Sequence, residues 1–318
     1  AAAAASGRLT WIAPASTACR WKPRPQTQCG SRNRRAAKLI DKGASSCGSS
    51  LSCRARPISL QRSAPAATWS ASAIAAARHG AHLPVLTSTI IDTDAPAAEI
   101  DAQVKTAAAP LYHLDIDLLE RLAPDVIVSQ SLCDVCAVAS GDVEAAVASI
   151  ASRPAVVNLA PFRLADIPQG FRDVGDAIGR QREAEALTER WHDTVARFQA
   201  IGERRAGRPK VAFLDWLDPP FAAGHWIPDM LQVLGCDSAL AASGEPSHEV
   251  SWDAVKAANA DIVLAACCGQ TAARAEVTAV PPHVSVTLLN GYEHFSRPSP
   301  ALLESLAILD DALAARGF

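Results

Sequence analysis

The sequence lacks several features that would assign it to a common functional class. It contains no run of about 18 uncharged apolar residues, so no segment is predicted to span a membrane. The GxSxG motif of hydrolases, the phosphate-binding P-loop and a GxGxxG dinucleotide motif after a strand are also missing. These absences give no support for a catalytic centre.

Acidic residues are nearly absent from the first 80 residues. This segment holds 13 Lys and Arg against one acid, Asp41, a net charge of +12, whereas the rest of the chain carries −15. It is rich in Ala, Ser, Arg and Cys and shows no sustained apolar periodicity. Three interpretations are open: a disordered basic arm that binds polyanions, an organellar transit peptide, or an out-of-frame translation from GC-rich DNA.

An aromatic loop follows one predicted strand. The run KVAFLDW at residues 210–216 is typical of a buried strand, and two prolines and Gly224 follow it. The turn holds four ring-bearing side chains: Trp216, Phe221, His225 and Trp226. Because ligands of open α/β sheets bind beyond the carboxyl ends of the strands, these rings indicate a large, flat, partly apolar ligand. Alternatively, Trp216 and Trp226 pack the loop onto its own domain.

Strands and helices alternate along the remainder of the chain. The predicted strands are DVIVS (125–129), AVVNLA (155–160), DIVLAAC (261–267) and VSVTLL (284–289), with the first two buried. The predicted helices cover residues 114–122, 142–150 and 299–313, and two more begin near Pro228 and after the capping Ser251. This alternation predicts parallel sheets in an α/β protein.

A long helical pattern runs from Ile167 to Ile201. Apolar residues recur mostly at three- and four-residue steps, and Arg and Glu fill the opposite face. One helix of about 35 residues would be roughly 50 Å long, which suits a rigid connection between two lobes. The alternative is two consecutive helices broken at Gly175 or Gly179.

Five segments in a fixed order carry a family resemblance. They are LPVLTSTIID (83–92), SLCDVCAV (131–138), WLDPPFAAGHWIPDML (216–231), GEPSHEVSWDAV (244–255) and NGYEHFSRPSP (290–300). Together they resemble the cobalamin-binding-protein branch of the class III substrate-binding proteins of ABC importers, which also bind haem and ferric siderophores. The resemblance covers about residues 82–313. It implies two Rossmann-like lobes with parallel sheets, joined by one long interlobe helix, and no catalysis.

The resemblance also implies a domain layout and partners. We expect a non-domain segment at residues 1–80, a truncated first lobe at 81–163, the interlobe helix at 164–207 and a second lobe at 208–318. The expected ligand is cobalamin or another corrinoid, with haem or a ferric siderophore as alternatives, and no cofactor is required. The expected partners are the permease and ATPase subunits of an ABC importer, without nucleic acid or direct membrane insertion. The family location is periplasmic or extracytoplasmic, although no secretion signal is recognisable.

The expected ligand-binding residues follow strand ends in both lobes. Aromatic rings would stack on the corrin plane, and Asp134, Asp218 and Arg297 would meet its polar groups. His225 could ligate a metal centre or act as a hydrogen-bonded neighbour, and Trp252 could instead pack at a helix start. The full set is Cys133, Asp134, Cys136, Trp216, Asp218, Phe221, Gly224, His225, Trp226, Trp252, Tyr292, Phe295 and Arg297. No dedicated metal site is expected.

The cysteines allow a different class of function. Cys133 and Cys136 form a CxxC pair that could be a redox pair, half of a metal site completed by Cys267 and Cys268, or a lining of the ligand cleft. The total of nine cysteines excludes a complete set of disulfides within one chain.

The out-of-frame interpretation of residues 1–80 makes a prediction about the coding DNA. In the family that the chain resembles, a strand and a helix precede the LPVLT segment, whereas the present residues show no such pattern. We therefore expect a different reading frame upstream of codon 81 to encode a family-like strand and helix. Sequencing of the coding DNA tests this, and the absence of such a frame would refute the interpretation.

Overall fold

The described part of the chain folds into two lobes with separate hydrophobic cores. The computed structural model describes residues 10–11, 84–132, 138 and 140–318. The predictions for residues 1–80 and for residues 133–137 therefore fall on residues that the structure does not describe. The exception is a two-residue strand, β1 (Thr10–Trp11). Within the described part of the chain, every helix is too short or too polar to cross a membrane.

In the described residues of the first lobe, the strands form two small sheets. Strands β2 and β3 pair antiparallel, whereas β4 and β5 pair parallel. The core between them includes Leu86, Leu119, Ile127 and Ile150. The elements are β2 (Thr87–Thr89), α1 (Ala97–Thr106), β3 (Tyr112–Leu114), α2 (Ile116–Leu122), β4 (Val126–Gln130), α3 (Ser140–Ser149) and β5 (Ala155–Leu159).

Strand β5 is more exposed than the sequence predicts. Three of its five residues are exposed and the other two are half-buried, and Val156 is 39% exposed. Within the described residues β5 pairs only with β4, so it lies at the edge of its sheet. The apolar run AVVNLA therefore predicts the strand correctly but not its burial.

The long helical pattern is divided into two helices that fold back on each other. Helix α4 (Ile167–Ala177) ends before Gly179, whose φ of +67° reverses the chain direction, and α5 (Gln181–Gly202) follows. Phe171 packs edge-to-face on Trp191 with ring centroids 5.5 Å apart, whereas one straight helix would separate these residues by about 30 Å. The prediction of a single 35-residue helix is therefore wrong, and the two-helix alternative with a break at Gly179 is confirmed.

This helix pair connects the two lobes. Helix α4 packs on β5 of the first lobe, while Trp191 and Phe198 of α5 enter the main core of the second lobe. Arg172 of α4 and Glu185 of α5 form two hydrogen bonds of 2.9 and 3.0 Å across the outer surface. Helix α5, with 22 residues and a length of about 33 Å, is the long helix of this connection.

The second lobe is built on a parallel sheet with antiparallel additions. Strands β6 (Lys210–Leu217), β10 (Ile262–Ala265) and β11 (Val286–Leu288) pair in parallel, as predicted, and β1 extends the sheet beside β11. Strand β6 alternates between two cores, with Val211 and Phe213 on one face and Ala212 and Leu214 on the other. The remaining strands are β7 (Pro220–Ala222), β8 (Asp237–Ser238) and β9 (His248–Glu249).

The helices of the second lobe begin where the sequence signals them. Pro228 lies in the first turn of α6 (Ile227–Val233), and the Ser251 side chain accepts a hydrogen bond from the Ala254 amide at the start of α7 (Trp252–Ala257). A short helix, α8 (Gly291–His294), and a closing helix, α9 (Leu302–Ala314), complete the lobe. Residues 269–285 form turns.

The helical hairpin predicts energetic coupling between Phe171 and Trp191. Each Ala variant should lower the free energy of unfolding by about 3–5 kcal/mol, because each removes a buried aromatic ring. In a double-mutant cycle the pair should couple by about 0.5–1.5 kcal/mol, since the rings touch edge-to-face. Urea denaturation measures these values. As a matched control, the changes in unfolding free energy for Trp191→Ala and Val286→Ala should be additive, because the two side chains belong to separate cores. An additive result for Phe171 and Trp191 would contradict the hairpin.

Candidate functional site

The carboxyl ends of three parallel strands meet at one edge of the second lobe. The Cys268 amide donates to the Asp215 carbonyl at 2.8 Å, which joins the end of β10 to the end of β6. The Leu289 amide donates to the Ala265 carbonyl at 2.7 Å, which joins β11 to β10. The aromatic loop therefore lies at the edge where α/β sheets bind ligands.

Trp216 and Phe221 form a cross-strand pair in the hairpin of β6 and β7. They are register partners, and a bulge separates this pair from the Leu214–Ala222 pair. Both side chains are half-buried, and the Trp216 Nε1–H donates to the Asp218 carbonyl at 3.0 Å. Because the polar edge of the indole is bonded inside the hairpin, the ring is held in one position with part of its surface accessible.

The backbone of the loop after β7 is held by hydrogen bonds to residues 244–247. The Gly224 amide donates to Ser247 Oγ at 3.0 Å, and the His225 amide donates to the Glu245 carbonyl at 2.6 Å. A Cβ atom on Gly224 would collide with the Glu245 carbonyl oxygen, so only glycine fits here. Gly224 is therefore a structural residue that brings the two loops together.

His225 is held in an unusual environment. Its φ is +52°, and its ring lies 6.0 Å from the Phe162 ring and 5.9 Å from the Trp226 ring, centroid to centroid. Its Nε2 atom is enclosed and has no hydrogen-bond partner among the residues that the structure describes. Burial lowers the pKa of His225, since the imidazolium loses hydration, and the ring is therefore neutral at neutral pH.

Asp229 fixes the segment that carries Phe162. Its carboxylate accepts hydrogen bonds from Arg163 Nη2 at 3.1 Å and from the Leu164 amide at 2.9 Å. Ser243 also donates to Asp229. Asp229 thereby joins the segment between the lobes, at Arg163 and Leu164, to Ser243. Ser243 precedes the loop residues that bond to the His225 backbone.

Four predicted ligand residues belong to the protein interior instead. Trp226, Tyr292 and Phe295 are 3 to 4% exposed, and the Trp226 Nε1–H donates to the Phe295 carbonyl at 3.3 Å. Arg297 is 9% exposed and lies over the Tyr292 ring, 4.8 Å from its centroid. Their burial disagrees with the prediction that these side chains contact a ligand.

The reason for this burial is a short helix that the sequence interpretation treated as an open loop. The Asn290 side chain accepts a hydrogen bond from the Glu293 amide and so caps α8. The three-residue spacing of Tyr292 and Phe295 then directs both rings inward. The cap at Asn290 followed by Glu293 is a sequence signal that would have predicted the helix.

The remaining predicted site residues are Trp252, Asp218 and three residues of the CxxC segment. Trp252 is half-buried at the first position of α7 and packs on the smaller core of the second lobe, in agreement with its alternative interpretation. Asp218 is partly exposed at the hairpin turn. Cys133, Asp134 and Cys136 lie outside the described residues, so their roles stay predictions.

Two of the described cysteines, Cys236 and Cys267, are poor nucleophiles. Cys267 is 3% exposed, and burial raises the pKa of its thiol to about 12, while burial raises that of Cys236 to about 11. Such thiols stay protonated at neutral pH and react slowly. Among the described residues, no group of three or more His, Cys, Asp or Glu is arranged to hold a metal ion.

Sequence reasoning missed the contacts that reach this site from the first lobe. The Lys105 ammonium of α1 lies 6.0 Å from the centroid of the Phe221 ring and 2.6 Å from Glu249 Oε2. Lys105 and Glu249 are separated by 144 residues, and no local pattern signals such a contact.

Comparison with solved structures shows a shared fold. The periplasmic haem-binding protein RhuT from Roseiflexus sp. RS-1 matches with a TM-score of 0.52 and 19% identity, over 64% of this chain and 81% of that protein. The vitamin B12-binding protein BtuF of Vibrio cholerae matches with a TM-score of 0.50 and 13% identity, over 64% and 79%. A possible iron-binding periplasmic protein from Staphylococcus epidermidis ATCC 12228 matches with a TM-score of 0.50 and 18% identity, over 63% and 80%.

The sequence itself matches a family profile. No curated protein matches the chain significantly. The profile of the periplasmic binding protein family matches residues 82–281, which include most of the first lobe, the helix pair and much of the second lobe. The chain therefore belongs to the periplasmic binding protein family, and its fold is that of the class III substrate-binding proteins of ABC importers.

Proposed function

We propose that this chain is the substrate-binding protein of an ABC importer and that it captures a corrinoid between its two lobes. Membership of a solute-binding family supports the general role, in which the protein carries a small molecule to a permease rather than transforming it. The identity of the ligand as a corrinoid goes beyond this general role. Its support is the five-segment resemblance and the platform formed by Trp216 and Phe221.

The Trp216–Phe221 pair is the observation that carries the proposal. Two half-buried aromatic residues lie side by side at the carboxyl edge of a parallel sheet, and hydrogen bonding holds the indole in place. A flat macrocycle can bury its apolar face on such a platform at little cost in side-chain entropy. The partly exposed Asp218 at the hairpin turn adds a carboxylate within the same loop for polar groups at the edge of the ligand.

A second candidate ligand is haem, because the Nε2 atom of His225 has no hydrogen-bond partner within the described part of the chain. A neutral imidazole nitrogen without a hydrogen-bond partner can bind the open axial position of a metal that the ligand itself carries. One protein ligand then suffices, which accords with the lack of a larger metal-binding cluster in the described residues. Because Nε2 is enclosed, ligation requires neighbouring groups such as the Phe162 ring, which is 44% exposed, to move aside.

The redox and metal-binding alternatives gain no support from the buried cysteines Cys236 and Cys267. The buried Cys267 thiol would be protonated rather than a thiolate at neutral pH. Cys133 and Cys136, on which both alternatives rest, lie outside the described residues.

The platform predicts that Trp216→Ala weakens the binding of cyanocobalamin by about 1–3 kcal/mol, because it removes a stacking surface. Trp216→Phe should retain most of the affinity. Isothermal titration of the folded protein measures both, and Phe318→Ala serves as a control because it truncates an exposed aromatic residue at the chain end. Unchanged affinity in Trp216→Ala would refute the platform, and a folded chain that binds neither cyanocobalamin nor haem would refute both candidate ligands.

The haem candidate predicts a spectroscopic dependence on His225. Ferric haem added to the protein should show a shifted Soret band that His225→Ala loses, while His192→Ala, which removes an exposed imidazole from α5, keeps it. Because burial lowers the pKa of His225, the shift should persist below the pH at which an exposed histidine becomes protonated and disappear only at lower pH. A Soret shift that is equal in His225→Ala would exclude His225 as the axial ligand.

A further inference from the structure

Helix α1 of the first lobe is attached to the second lobe at both of its ends. At its start, the Ala97 amide donates to Glu276 Oε2 at 3.1 Å, and Arg274 of the same second-lobe segment donates to the Thr93 carbonyl at 2.9 Å. At its last turn, Lys105 donates to Glu249 Oε2 at 2.6 Å. These contacts join residues that are 144 to 181 positions apart, so they depend on the lobes lying side by side.

Lys105 is placed between two carboxylates. Its ammonium is 2.6 Å from Glu249 Oε2 and 2.9 Å from Asp101 Oδ2, one turn earlier on α1. Hydrogen bonds to Glu249 and then Asp101 raise the pKa of Lys105, which keeps the ammonium charged. Because Lys105 and Glu249 are each about half exposed, salt screens their attraction effectively.

The same lysine covers the aromatic platform. Phe221 is the register partner of Trp216 in the hairpin and of Glu249 on the neighbouring strand. The Lys105 ammonium lies over the Phe221 ring, 6.0 Å from its centroid, within the range of a cation–π contact. A flat molecule that stacks on Phe221 from this side must first displace Lys105.

We propose that Lys105 and Glu249 form an ionic latch that holds α1 over Phe221, and that opening of this latch admits the ligand. The latch itself is a property of the two lobes, whereas its effect on ligand entry rests on the proposed function. An exposed ion pair is a suitable closure because it is strong enough to favour one arrangement and weak enough to open rapidly.

Hydrogen exchange in protein without added ligand tests the latch directly. Lys105→Met keeps the aliphatic stem without the charge, and Glu249→Gln keeps the shape of the side chain. Each should raise the exchange of the α1 amides about two- to five-fold at low salt, and the double variant should add nothing further, since both changes remove one contact. Lys256→Met, on the exposed side of α7, is the matched control and should leave this exchange unchanged.

Ligand association measured by stopped-flow tryptophan fluorescence tests the effect on entry. With cyanocobalamin as the probe, both variants should associate about two- to five-fold faster than the original chain at low salt. In 1 M NaCl the difference should vanish, because the Debye length falls to about 3 Å.

The two measurements separate the possible failures. Unchanged exchange of α1 in both variants would overturn the latch, and raised exchange with unchanged association rates would overturn its role in ligand entry. If the folded protein binds no cyanocobalamin, the proposed function fails for this ligand, while the exchange data still decide whether the latch exists.

Discussion

The parallel pairing of β6, β10 and β11 is the constraint on which the candidate site depends. It places the ends of three strands at one edge of the sheet, so that residues from distant parts of the chain become neighbours. It also gives β6 two faces, each covered by a separate core. With both faces buried, the strand ends and the loops that follow them are where the sheet can meet a ligand.

The elements of the second lobe could be predicted because their signals are local. An apolar run marks β6, Pro228 marks the start of α6 and Ser251 caps α7. The division of the helical pattern was harder to predict. Apolar periodicity continues on both sides of Gly179, since α4 and α5 each bury one face against a core, and the reversal of direction depends on the conformation of a few residues.

The sequence predicted that the aromatic residues follow a strand end, but it did not predict which of them are buried. Trp216 and Phe221 lie at the strand end, but Trp226 and Phe295 enter the core, because burying a large ring is favourable wherever the backbone allows it. The sequence of a loop does not distinguish an aromatic side chain that faces solvent from one that faces the interior. Contacts between the lobes, such as that of Lys105 with Glu249, depend on tertiary packing that no short segment encodes.

The two sides of the site differ in stiffness. On the second lobe, the Gly224 amide donates to the Ser247 side chain, the His225 amide donates to the Glu245 carbonyl, and apolar cores support the hairpin. On the first lobe, α1 reaches the site through polar contacts such as the exposed Lys105–Glu249 pair, which solvent and salt weaken. Relative movement of the lobes is therefore expected to break the contacts of α1 and leave the hairpin intact.

The hydrogen bond from the first amide of α1 to the Glu276 carboxylate can form only late in the synthesis of the chain. Pro96 provides no side-chain cap, so the Ala97 amide depends on Glu276, which is 179 residues further along. At a synthesis rate of roughly 5–20 residues per second, Glu276 leaves the ribosome about 9–36 s after Ala97. A ten-residue helix is marginal in water without tertiary support. During synthesis, α1 therefore lacks the acceptor for its first amide until residue 276 has been made.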